Sequence, residues 1–237
     1  MCRLSVNINK IATLRNSRGG NIPNVLQSAI DCQEFGAEGV TVHPRPDERH
    51  IRYQDARDIK DIITTEFNIE GYPSRDFLDL VIEIQPDQVT LVPDPPDALT
   101  SSEGWDTIKH FDFLTDVITE LKANKIRTSV FIDTNHSLIE GAKKCGADRI
   151  ELYTEPYAQM FPTDREAAIA PFRDAAIFAN SLGMGINAGH DLNLQNLKYF
   201  YQNVPGLLEV SIGHALISDA IYLGFENTIQ LYLQQLS

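Results

Sequence analysis

The chain is short of cations, cysteines and long apolar runs, and each shortage excludes something. Its 237 residues carry 20 Lys and Arg against 33 Asp and Glu, a formal net charge of -13. A nucleic-acid partner demands a basic footprint, so that deficit argues against one. Cys2, Cys32 and Cys145 are scattered and lack metal-ligand spacing. Cys145, in AKKCGAD, reads as buried packing at a helix end. No apolar run approaches the roughly 18 residues of a membrane span, and MCRLSVNINK is no signal peptide, so a cytoplasmic protein without membrane association is expected. Low-complexity segments and linkers are missing too, which predicts a single domain over residues 1–237. A core of this size needs no disulfide or metal staple.

What is present is uneven. Residues 1–57 hold eight Lys and Arg against six Asp and Glu, whereas residues 58–237 hold twelve against twenty-seven. Seven of the first eight cations are arginines, whose planar fork suits phosphate or carboxylate. Several gather in HPRPDERH (43–50), which its two prolines mark as a loop.

A short β-rich run followed by a helical pattern recurs along the chain. The strand candidates are LSVNIN (4–9), GVTVHPR (39–45), EFNIEG (66–71), QVTLVP (88–93), RTSVFID (127–133), DRIELYT (148–154), MGINAG (184–189) and LEVSIGH (208–214). FGAEGVTVH and CGADRIELY share a glycine helix exit leading straight into a strand. Alternation of this kind implies βαβ units and a parallel sheet, and eight of them match a (β/α)8 barrel. A doubly wound open sheet is the alternative, but GxGxxG is absent.

In a barrel the C-terminal strand ends form one mouth, where chemistry is done. Read in order, those ends supply Asn7, Asn9 and Lys10; His43 and Arg45; Glu70; Asp94; Asp133; Glu151 and Tyr153; Asn187 and His190; Ser211 and His214. Four of the six histidines, His43, His50, His190 and His214, fall at strand ends or in the loop after the second strand. HPRPDERH would then face an anionic small molecule. The first loop, KIATLRNSRGG, adds Arg15 and Arg18, and the glycines of NAGH and SIGH let backbone N–H groups approach a phosphate. Two cationic regions suggest two anionic groups. Glu70, among cations at a strand end, reads as a general acid/base or as a structural ion-pair partner, and Glu151 has the same two readings. No local His, Asp or Glu pair has metal-ligand spacing, so no metal is expected. Lys10 is the one lysine near the mouth that could form a Schiff base.

Taken together, NINKIATLRNSRGG, GVTVHPRPDERHI, FNIEG, VTLVPD, INAGHDL and VSIGHA resemble the pyridoxine 5′-phosphate synthase family, in register from residue 4 to about residue 215. The resemblance implies a (β/α)8 TIM barrel with additional helices, no cofactor, and a homo-octamer. It implies condensation of 1-deoxy-D-xylulose 5-phosphate with 3-amino-2-oxopropyl phosphate to pyridoxine 5′-phosphate, with release of phosphate and water. By the same resemblance His43 and Glu70 match acid/base positions and His190 a proton donor. Asn7, Arg18, Gly213 and His214 match residues holding the amino ketone phosphate, and Arg45, His50 and Thr100 residues holding deoxyxylulose phosphate.

The chain departs from that family in two places. Many members read Asp-His where this chain has Asn9-Lys10, which puts the grip on deoxyxylulose phosphate in question. Many have glycine where it has Asp191. A carboxylate aimed at a phosphate would be repelled, so the Asp191 side chain is expected to turn away, leaving its backbone N–H to the ligand. It is expected to favour instead the start of a helix over LNLQNLKYF. Two other functions compete: a different phosphate-handling isomerase or aldolase barrel, and a non-catalytic phosphometabolite-binding protein.

Overall fold

The structure, a computed structural model, describes residues 2–94 and 103–237. Its strands are β1 (Arg3–Asn7), β2 (Gly39–Val42), β3 (Glu66–Gly71), β4 (Gln88–Leu91), β5 (Arg127–Ile132), β6 (Arg149–Leu152), β7 (Gly185–Ala188) and β8 (Leu207–Ile212). Each pairs in parallel with the next, and β8 returns to β1. The sheet therefore closes into an eight-stranded barrel, which removes the open-sheet alternative.

The helices of the first half are α1 (Asn9–Asn16), α2 (Val25–Glu34), α3 (Tyr53–Ile62), α4 (Arg75–Ile84) and α5 (Phe111–Ala123). Those of the second are α6 (His136–Lys144), α7 (Glu155–Met160), α8 (Arg165–Ser181), α9 (Leu197–Asn203), α10 (His214–Leu223) and α11 (Phe225–Gln235). Among the described residues α1, α7 and α11 are additional to one helix per strand. Several start where a polar side chain accepts an otherwise unpaired N–H: Asn24 before α2, Ser74 before α4, Asn135 before α6 and Asp164 before α8. The two glycine exits read from sequence, Gly36 and Gly146, have φ of +95° and +94°, a region in which a Cβ would be strained.

Outward strand residues such as Val40, Val42, Phe67, Ile69, Val130 and Ile150 are fully buried beneath the helices. The lumen is polar, unlike the branched apolar filling usual for such barrels. Ser5 and Thr41 share a 2.7 Å hydrogen bond, Thr90 donates to Asn68 at 3.1 Å, and Asn187 donates to Gln88 at 3.3 Å. At the N-terminal end the buried carboxyls of Glu66 and Glu209 meet three arginines. Arg3 donates to Glu66 at 2.8 Å, Arg127 also bonds it, and Arg149 lies 3.5 Å from Glu209.

Two local expectations are corrected. KIATLRNSRGG is not simply a loop, because Asn9–Asn16 form α1. Helix begins only at Leu197 in LNLQNLKYFYQNV, since Asn193 and Asn196 hold a turn: the Asn193 N–H donates to Asn196 Oδ1 at 2.8 Å, and the Gln195 N–H to Asn193 Oδ1 at 2.9 Å. The closing segment is two helices, broken at Gly224, whose φ of +82° and ψ of 149° no helix can carry.

Candidate active site

Side chains alternate along each strand, so the inward residues nearest the mouth lie two positions beyond the inward residues of the lumen. On β1–β3 they are Asn7, His43 and Glu70. On β4–β6 they are Val92, Phe131 and Tyr153. At the ends of β7 and β8 they are Gly189 and Gly213. The mouth thus has a titratable sector, an apolar sector and a glycine sector. A Cβ on Gly189 would lie 1.9 Å from the Ser211 carbonyl oxygen, so only glycine permits that close approach.

In the titratable sector, Asn7 donates to Glu70 Oε2 at 3.3 Å, and His43 Nδ1 lies 4.0 Å from the same oxygen. Burial pushes the Glu70 carboxyl well above the carboxylate range, and the negative charges of Glu151 and Asp94 add to that. Burial pulls His43 well below its ordinary 6.5, helped by the charges of Arg45, His50 and Arg49. Both shifts favour the uncharged forms, a protonated carboxyl beside a neutral imidazole, over an ion pair. Glu151, beneath them, is raised by burial to about 7 and accepts a 3.4 Å hydrogen bond from Thr90.

Across the mouth, His190 Nδ1 lies 2.8 Å from Asp191 Oδ2. Burial pulls His190 down, but the bond to Asp191, its charge and those of Glu151 and Glu155 outweigh it and leave the imidazole raised. The Asp191 carboxylate is bonded to His190 and not to a helix start, since α9 begins only at Leu197. Its φ of +65° explains the family's glycine, since this position needs the left-handed region, which Asp tolerates.

Other sequence candidates divide. Arg45 is buried and bonded to Asp94 at 2.7 Å, across the mouth between the ends of β2 and β4. His50, pulled down to about 4 by burial and by the charges of Arg45, Lys10 and Arg49, has its ring 6.0 Å from that of His43. Asn9 is a tie rather than a free ligand group, its Oδ1 accepting the His43 N–H at 2.9 Å. Lys10 and Arg18 are exposed on and just after α1, and an exposed lysine lacks the desolvation that activates a Schiff-base amine. Gly213 and His214 form the start of α10. Asn187 points down the lumen toward Gln88 and Arg149, Ser211 is buried in β8, and Asp133 lines a separate 110 Å³ cavity behind Tyr153. Thr100 lies outside the described residues.

Arg15 is a correction. It is fully buried and forks onto Asp55 at 2.6 and 2.8 Å, with a third bond of 3.1 Å to the His50 carbonyl, so its charge is neutralised inside the protein. Beside it Asn16 Nδ2 donates to three successive carbonyls, of Glu48, Arg49 and His50, at 3.3, 3.2 and 2.8 Å. The sequence reading missed the apolar sector at Val92 and Phe131, although counting by twos from Thr90 and Ser129 would have found it.

A closed parallel barrel with opposed acid and base at its C-terminal mouth defines an enzyme of the (β/α)8 class. The profile of the family described as Pyridoxal phosphate biosynthesis protein PdxJ matches residues 4–237, and the chain belongs to that family. It is 64% identical over 236 residues to Pyridoxine 5′-phosphate synthase of Cytophaga hutchinsonii, covering 100% of this chain and 99% of that one. It is 63% identical over 232 residues to the protein of that name from Bacteroides fragilis, covering 98% of each. Among solved structures, phosphoribosyl anthranilate isomerase from Thermotoga maritima matches at a TM-score of 0.60 and 16% identity, over 100% of this chain and 98% of that one. Thiamine phosphate pyrophosphorylase from Pyrococcus furiosus matches at 0.63 and 14%, over 99% and 97%. At such identities these structures share the fold alone.

Proposed function

We propose that the chain is a pyridoxine 5′-phosphate synthase, joining 1-deoxy-D-xylulose 5-phosphate to 3-amino-2-oxopropyl phosphate with loss of phosphate and water. The observation that carries the mechanism is that one mouth holds three titratable groups pulled in different directions: His43 down, Glu70 and His190 up. Forming an imine between amine and ketone, then expelling phosphate and water, requires protons to be taken from carbon and nitrogen and given to departing oxygen. Neutral His43 is a base. Protonated Glu70 is an acid that becomes a base once its proton is spent, and charged His190, held by Asp191, is a donor to a leaving oxygen. Glu151, raised to about 7, adds its negative charge to the burial that raises Glu70.

The amino ketone phosphate is assigned to Asn7, Arg18 and the Gly213–His214 start of α10, where helix N–H groups and dipole favour an anion. Deoxyxylulose phosphate is assigned to Arg45, His50 and Thr100. The first, small-molecule assay is direct: mix both phosphates with the protein and follow pyridoxine 5′-phosphate by chromatography. Product forms if the reading holds, and no product overturns it.

The functional assembly is proposed to be a cytoplasmic homo-octamer. Exposed Ile221, Tyr222 and Leu223 at the end of α10 support an apolar contact between copies. Light scattering on the purified protein tests the octamer, and a monomeric mass would refute it. No helix among the described residues is long and apolar enough to cross a membrane.

A further inference from the structure

The apolar sector of the mouth calls for an occupant. Val92, Phe131 and Tyr153 pack together as a cluster separate from the main core. The Phe131 and Tyr153 rings lie 5.4 Å apart, and both lie against His190, at 6.4 and 5.7 Å. Their exposures of 3, 3 and 5% match those of His43 at 7% and Arg45 at 4%, so they are as accessible as the mouth's own polar groups. The Tyr153 hydroxyl donates to Glu155, which leaves its ring as the surface turned to the other two. This wall therefore has almost no hydrogen bond to offer.

The reading rests on the proposed function. Its two substrates are polar at almost every position, carrying phosphates, carbonyls, an amine and hydroxyls. One apolar terminus exists between them, the methyl group of the deoxy sugar. We propose that Val92, Phe131 and Tyr153 seat that methyl group, and that they separate the 1-deoxy ketose phosphate from its 1-hydroxylated counterpart. The location agrees with the phosphate assignment: Asp94, two residues beyond Val92, holds Arg45. A hydroxymethyl group placed here would lose its hydrogen bonds to water and gain none. Such a pocket rejects an added hydroxyl by about a hundredfold at most.

The test compares the KM for 1-deoxy-D-xylulose 5-phosphate with the inhibition constant of D-xylulose 5-phosphate, in the wild-type protein and in Val92→Thr and Phe131→Leu. The wild type is expected to favour the deoxy sugar by about 10–100-fold. Val92→Thr keeps the shape but supplies a hydroxyl, and should narrow the ratio about tenfold. Phe131→Leu opens room and should narrow it too, while the KM for the amino ketone phosphate stays put in both. An unchanged ratio, or equal weakening of both sugars, overturns the proposal. Should Phe131→Leu fail to fold, the isosteric Val92→Thr still decides. A wild-type protein that makes no pyridoxine 5′-phosphate defeats the function itself, a result distinct from either.

Discussion

Glu66 and Glu70 stand on the same strand and the same face, about 13 Å apart at ~3.3 Å per residue. Both are buried or nearly so, yet their protons behave oppositely. Burial pushes Glu66 up, but a hydrogen bond from Glu209 and the charges of Arg127, Arg149 and Arg3 outweigh it and hold it down. Glu209 is raised well above its usual range by burial and by Glu66, which favours the protonated form that can donate. Glu70 has other carboxylates for neighbours, with Arg45 already bonded to Asp94, so burial wins and it too is raised. A carboxylate at the foot of the barrel is therefore structural, and the same residue type at its mouth can carry a proton back and forth. What distinguishes them is the supply of arginine.

Breaking the working end should give the largest effect. Glu70→Gln is expected to lower kcat by about 10²–10⁴-fold while melting near the wild-type temperature. Near-native turnover would make Glu70 a second Glu66. Breaking the structural end should do the reverse. Glu66→Ala removes the carboxylate that pairs with Arg3 and Arg127, and should cost about 3 kcal/mol in denaturant unfolding, with kcat per folded molecule unchanged. If activity collapsed and stability held, the division between the two ends would be wrong.

Two finer changes sharpen the picture within the mouth. Arg18→Ala should raise KM for the amino ketone phosphate, and His50→Ala that for deoxyxylulose phosphate, each about tenfold to a hundredfold for a lost charge-assisted bond of about 1.5–3 kcal/mol. Both variants weakening one substrate would merge the two anion sites. The smallest effect is expected of Asp191→Asn, which keeps a residue tolerant of positive φ but removes the charge on His190. A donor works while protonated, so activity falls as pH rises through the His190 pKa; lowering that pKa moves the alkaline limb of the rate profile to lower pH. The sign for stability agrees. A raised folded pKa means that the protonated ring stabilises the fold fully below the ordinary 6.5, and that this is lost as pH climbs through the folded value. An unmoved limb would show that Asp191 does not govern His190.

The barrel was legible because its signal is local and repeated: β-branched runs, glycine helix exits, and polar residues gathered at run ends. The strand ends led to His43, Glu70, Glu151 and His190, and the structure sets three of them at the mouth with Glu151 one layer beneath. Partnership was not legible. Nothing in ATLRN tells that Arg15 turns inward to Asp55, since the pairing spans 40 residues. The helix dipole expected to receive Asp191 failed because Asn193 and Asn196 bond side chain to backbone and delay α9. The apolar sector was overlooked for another reason. Val92 and Phe131 look like ordinary core residues until strand parity turns them inward.

The bonds from Arg15 and Asn16 bear on binding as much as on folding. Between them they take the Glu48, Arg49 and His50 carbonyls, so the loop that presents His50 is tied to α1 before any substrate arrives. Ordering a loop at the moment of association subtracts from affinity, and each side chain immobilised then costs about 0.5–1.5 kcal/mol. Here the backbone's freedom is surrendered when the chain folds. A small sugar phosphate, with few atoms from which to draw binding energy, meets a loop already set.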